Sequence, residues 1–92
     1  MLSALEHVGT GRMEKYEPLR RLLVPAPHPI HLTFADLAAL VGGLPPSAYR
    51  RREWWSNNPT GHVQAQAWLS AGRRVDNVDL LAERVWFSPR MP

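Results

Sequence analysis

Nine prolines divide this chain of 92 residues, at positions 18, 25, 27, 29, 45, 46, 59, 89 and 92. A proline inside a helix removes a hydrogen bond and clashes with the preceding turn, whereas one in the first turn is tolerated. Between Pro18 and Pro59 helices are therefore confined to short intervals, and helices this short persist only when packed against neighbours. The length allows one domain with one core, near the size at which cores become marginal without staples. Cysteine is absent, which excludes disulfides, thiolate metal ligands and a thiol nucleophile and fits a reducing, cytoplasmic setting.

Between the prolines the pattern resolves into elements. Tyr16, Leu19, Leu22 and Leu23 recur at helical spacing, which predicts a helix over 17–24 that Pro25, Pro27 and Pro29 end. Residues 30–34 are a candidate short strand. Thr33 and Asp36 then stand in the capping-box relation and Leu32 and Leu37 in the staple relation, ahead of a helix over 34–41 closed by Gly42 and Gly43. A second helix is expected from Pro46 or Ser47 to Trp54, separated from the first by GGLPP in the manner of a helix-turn-helix. Asn58 as cap and Pro59 at the first position predict a further helix over 60–71, with Ala65, Trp68 and Leu69 buried and Gly72 as its stop. Val75, Val78 and Leu80, a turn at 81–83, and alternating Val85 and Phe87 with Trp86 on the opposite side predict a hairpin.

The expected fold is mainly α with a small β-hairpin, a winged helix-turn-helix-like α+β single domain with residues 30–34 as a third strand beside the hairpin. The additional helix before the hairpin departs from the simplest winged form. A flexible leader is expected over 1–14, the domain over 15–88, and a flexible tail over 89–92. No apolar run is long enough to span a membrane.

Charge is unevenly placed. The formal charge is +3, yet from Pro45 to Val75 there are five arginines and one acid, Glu53. Arginine offers a planar fork suited to phosphate and base edges, so Arg50, Arg51 and Arg52 on the second helix are the leading candidates for contact with duplex DNA, with Arg73 and Arg74 beside the hairpin touching adjacent phosphates. The plainer account is a solvated helix with arginines paired to Glu53 or Asp36. Trp54 is a candidate for partial exposure and stacking, and Asn57 for a hydrogen bond to backbone or adenine. Trp55 and Trp68 read as core, Gln64 as facing water, and Trp86 as a surface aromatic.

The segments Thr33-Phe34, Leu44-Pro45-Pro46-Ser47-Ala48, Trp54-Trp55-Ser56-Asn57, Ala67-Trp68-Leu69, Gly72 and Val85-Trp86-Phe87 resemble the motifs of a family of small, uncharacterised bacterial domains. The likeness runs from about Lys15 to Phe87. It implies one compact domain, similar in outline to DNA-binding modules, and implies no chemistry.

Catalysis finds no constellation. His7, His28, His31 and His62 are scattered, with no HExxH spacing, and Ser47 lies in LPPSA without an elbow or a base. No enzyme activity, cofactor or metal is expected. The favoured reading is a DNA-binding regulator or accessory protein acting on double-stranded DNA, with dimerisation or a protein partner enlarging its footprint. The alternative is a protein interaction module using exposed Trp and Arg side chains, and RNA binding is a third reading.

Overall fold

The computed structural model describes residues 14–25 and 28–90. The expected leader, apart from Glu14, lies outside the described residues, as do Ala26, Pro27 and the final two residues. In chain order the elements are α1 (Glu17–Leu23), β1 (Ile30–Thr33), α2 (Phe34–Val41), α3 (Pro46–Arg50), a 3-10 turn (Arg52–Trp55), α4 (Val63–Ser70), β2 (Arg73–Asp79) and β3 (Arg84–Pro89). Among the described residues this is an α+β domain of four α-helices and one three-stranded antiparallel sheet, in the order β1-β3-β2.

The helix that begins at Phe34 starts where its cap chemistry requires. Thr33 accepts the Asp36 amide at 3.0 Å while the Asp36 carboxylate faces the Thr33 amide, and Gly42 ends the helix at a φ of 81°, a left-handed conformation that glycine adopts without strain. The Phe34 amide donates to the Glu83 carbonyl at 2.8 Å, so the hairpin turn is tied to the start of α2. Beside it, Thr33 pairs with Arg84 and Ile30 with Phe87.

A column of four rings forms the centre. Phe34 stacks on Trp55 at 4.9 Å, Trp55 on Trp68 at 6.1 Å, and Trp68 meets Phe87 at 5.5 Å. These rings come from α2, the 3-10 turn, α4 and β3, so one contact chain joins four elements that are each too short to stand alone. Around the column pack Tyr16, three leucines, four valines and three alanines, all buried.

Two expected helices are shorter than their sequence pattern predicts. The one expected to reach Trp54 stops at Arg50, because Arg51 takes an extended conformation and the Ala48 carbonyl accepts the Trp55 indole N–H at 2.8 Å. Burying the Trp55 ring beneath α3 thus replaces the next helical turn. The other begins at Val63 instead of residue 60. Asn58 accepts the Thr60 amide at 3.0 Å in a local turn, and Gly61, at a φ of 77°, reverses the chain before the helix can start. At the far end β3 runs through Pro89, and the Arg90 amide donates to the Gly72 carbonyl at 2.9 Å.

Candidate nucleic-acid interface

The three consecutive arginines leave α3 in different directions. Arg50, the last residue of α3, is exposed, and its guanidinium makes no hydrogen bond or ion pair among the described residues. Arg51, in the extended link, is 66% exposed and stands 3.8 Å from the Glu53 carboxylate, itself 71% exposed, a pairing of little energetic consequence. Arg52 turns back: its guanidinium donates to the Val78 carbonyl at 2.7 Å and fastens the 3-10 turn to β2. Together with the Trp55 indole bond this fixes the turn at both ends, so Arg50 and Arg51 project from a rigid support.

The other candidates separate by environment. Trp54 is half-buried, with its ring 6.3 Å from Tyr16 and edge-on to Trp55 at 4.7 Å. Arg74 is exposed and 3.3 Å from Asp76. Arg73, expected to meet phosphates, is instead 2% exposed. Its guanidinium donates to the carbonyls of Leu23 at 3.3 Å, His28 at 2.6 Å and Phe87 at 3.4 Å. It points inward because β2 alternates, placing Arg73, Val75 and Val78 on the covered side while Arg74 and Asp76 face out. Asn57 stays exposed, yet its amide is spent within the fold, accepting from the Trp68 indole and the Val75 amide and donating to the Val75 carbonyl. Of the seven expected residues, Arg50, Arg51 and Arg74 offer cationic groups to solvent, Arg52 is exposed but gives a guanidinium N–H to Val78, Trp54 leaves part of its neutral ring to solvent, and Arg73 and Asn57 hold the fold together.

Two further features lie outside the expected residues. A cleft of about 290 Å³ lies between α3 and the start of α4, lined by Ser47, Arg51, Glu53, Trp54, His62 and Gln64. Gln64, expected to face water, is 5% exposed and donates to the Trp54 carbonyl at 2.7 Å. On the outer face of the sheet, His31 stacks on Trp86 at 4.9 Å, and Arg84 lies 3.1 Å from the His31 Nε2. The alternation of Val85, Trp86 and Phe87 signals the outward tryptophan, while the cleft joins segments whose spacing alone does not predict their meeting.

Electrostatic perturbation is concentrated elsewhere. A hydrogen bond from Arg20, followed by its charge and that of Arg21, holds the Glu17 carboxyl below the usual range, and burial pushes the Tyr16 phenol up. Among the described residues no group of three or more His, Asp or Glu side chains is placed to hold a metal ion, and no helix is long and apolar enough to cross a membrane.

No curated protein and no solved structure matches the chain. The family described as "Domain of unknown function (DUF7662)" matches residues 16–90, the whole of the fold described above. The chain belongs to this uncharacterised domain family.

Proposed function

We propose that this domain binds duplex DNA through the pinned arginine turn, in a fold of winged-helix outline. The observation that carries the reading is the pair Arg50 and Arg51. They are adjacent and exposed, and they are held on a turn fastened by the bonds from Arg52 to Val78 and from Trp55 to Ala48, with the exposed Glu53 carboxylate 3.8 Å from Arg51. The backbone beneath them is already ordered, so meeting phosphates costs the ordering of the side chains alone. The element order and the placement of β1 beside β3 support the winged outline.

The mode of contact differs from a recognition helix lying in the groove. With five residues, α3 is only about 7.5 Å long at 1.5 Å per residue, so its end and the following link reach the DNA rather than its length. Phosphate contact then dominates, and affinity falls steeply with salt. Arg74 adds a further contact where its Asp76 partner releases it.

Fluorescence anisotropy of random-sequence duplex DNA at two salt concentrations tests this. Binding at low salt that collapses as salt rises is the expected result. Failure to bind at low salt by folded, monodisperse protein removes the reading. A protein interaction module is the second reading, favoured by Leu81, which is 97% exposed at the hairpin turn, and by the outward Trp86. A concentration-dependent complex indifferent to nucleic acid is its signature.

A further inference from the structure

The cleft between α3 and the start of α4 offers an aromatic wall and a set of polar groups whose directions are fixed. At about 290 Å³ it lies near the lower end of small-ligand sites, roughly 300 Å³, so it accommodates one ring system rather than a folded peptide. Gln64, buried at 5% exposure, gives its NH2 group to the Trp54 carbonyl at 2.7 Å, which assigns the other side-chain atom, Oε1, as an acceptor. That oxygen has no hydrogen-bond partner among the described residues, and no fully buried side-chain polar atom among them lacks one, so Oε1 is an accessible, unpartnered acceptor on a residue that lines the cleft. The same NH2 group lies 3.5 Å from the His62 Nδ1; in the neutral tautomer with Nδ1 as acceptor, Nε2–H is the donor that the ring presents.

The resulting set is specific in kind. Gln64 Oε1 and the Glu53 carboxylate accept; His62 Nε2–H and the Arg51 guanidinium donate; the Ser47 hydroxyl does either; and Trp54 supplies the ring. A planar heterocycle with adjacent donors, ring acceptors and an attached anion satisfies all of these groups together. Guanine has this pattern, with N1–H and N2–H2 side by side for a carboxylate or amide oxygen, O6 and N7 as acceptors, and a phosphate for arginine. Pyrimidines lack both the second ring and the paired donors.

We propose that this cleft binds a guanine nucleotide, with the base against Trp54, its Watson–Crick edge toward Glu53 and Gln64, and its phosphate on Arg51. The nucleotide is either free or an unpaired residue of a nucleic-acid strand. The assignment shares Arg51 with duplex binding but does not rest on it, since the base edge is read by residues that duplex binding does not use.

Nuclear magnetic resonance of the isotope-labelled full chain tests the proposal, observing the Trp54 indole N–H and the Gly61 amide at the cleft during titration. The probes are GMP, CMP, a single-stranded oligothymidine and the same strand carrying one guanine. Shifts of both signals with GMP identify a free nucleotide as ligand; shifts with the guanine strand alone identify a base within a strand; either supports the proposal. Glu53→Gln, at a site 71% exposed, is expected to weaken guanine binding roughly tenfold, by turning one acceptor oxygen into a donor, while keeping the fold. Ser47→Ala is a second variant should that one not fold, with a smaller loss expected. No shift with either guanine probe at millimolar concentration, or equal shifts with CMP, overturns the proposal, as does unaltered guanine affinity in a folded Glu53→Gln protein. Arg50→Ala, which lowers duplex affinity under the reading above, leaves guanine binding unchanged, so the two proposals fail separately.

Discussion

Asn57 bonds to Val75 as a neighbouring strand residue would: its Oδ1 accepts the Val75 amide at 2.8 Å and its Nδ2 donates to the Val75 carbonyl at 3.0 Å. Strand β2 is the edge of the sheet, and Asn57 covers its backbone groups just where the register shifts between Val75 and Asn77. The same Oδ1 accepts the indole N–H of the fully buried Trp68 at 3.0 Å, so three bonds converge on one amide. Asn57→Ala strands a buried indole donor and two backbone groups, and is expected to lower stability by about 1–3 kcal/mol. Asn57→Asp keeps the acceptors but sets a carboxylate oxygen against the Val75 carbonyl, and is expected to cost as much. Urea denaturation reads both as a lower midpoint at unchanged slope; a change within about 0.5 kcal/mol, the range of neutral surface substitutions, would show that water replaces the amide freely.

The capping box, the glycine stop and the strand alternation could all be read from the chain because each is a local relation between residues a few positions apart. Thr33 with Asp36, Gly42, and Val85 with Phe87 stand where those relations place them. What escaped is tertiary. An asparagine in WWSN looks like a turn residue until β2 is found alongside it, and Arg73 looks like part of a basic pair until alternation and three backbone carbonyls turn it inward. The end of α3 was hidden for the same reason: nothing in RRREWW shows that the Trp55 indole competes for the Ala48 carbonyl. The cleft depends on Gly61 reversing the chain and on Gln64 reaching Trp54, contacts that are likewise non-local.

Arg73 and Arg74, adjacent in sequence, are expected to respond oppositely to substitution. Arg73 ties the end of α1 and the proline-rich link at His28 to β3 through carbonyls of three segments. Arg73→Met leaves those acceptors, two of them buried, without their donor and is expected to cost about 3 kcal/mol, a large share of the roughly 5–15 kcal/mol that stabilises a small domain. Arg73→Lys recovers only part of this, since an ammonium cannot reproduce the planar fork. Arg74→Ala is expected to shift stability by no more than about 0.5 kcal/mol. Thermal melts of the three variants decide the matter, and an Arg73→Met protein as stable as Arg74→Ala would refute the structural role of Arg73.

Arg50 and Arg51 are expected to control the salt dependence of duplex binding. If each meets a phosphate, the slope of log affinity against log salt becomes shallower by about 0.9 for every contact removed, and the double alanine variant shows both losses together. Its circular dichroism stays unchanged, because neither guanidinium holds another element. Arg52→Ala behaves differently. It breaks the bond to Val78, lowers stability by about 1 kcal/mol, and weakens DNA binding by loosening the support beneath its neighbours. An unchanged slope in the folded double variant would move the DNA contact away from this turn.

Tyr16 gives the domain a weakness on the alkaline side. Its ring is 5% exposed and lies 6.3 Å from Trp54, and burial raises the phenol above its ordinary value of about 10 because the interior disfavours the phenolate. Between that ordinary value and the raised one, the unfolded chain has released a proton that the folded chain retains. Unfolding is therefore favoured as pH climbs: the contribution is fully present below about pH 10 and is lost as pH rises through the folded value. Tyr16→Phe keeps the ring contact and removes the ionisation. Its urea midpoint is expected to track that of the parent protein at neutral pH and to fall less steeply above pH 10. Every other ionisable group remains in both proteins, so the difference between the two curves isolates the phenol. Parallel curves through the alkaline range would mean that the Tyr16 hydroxyl ionises as readily in the fold as outside it.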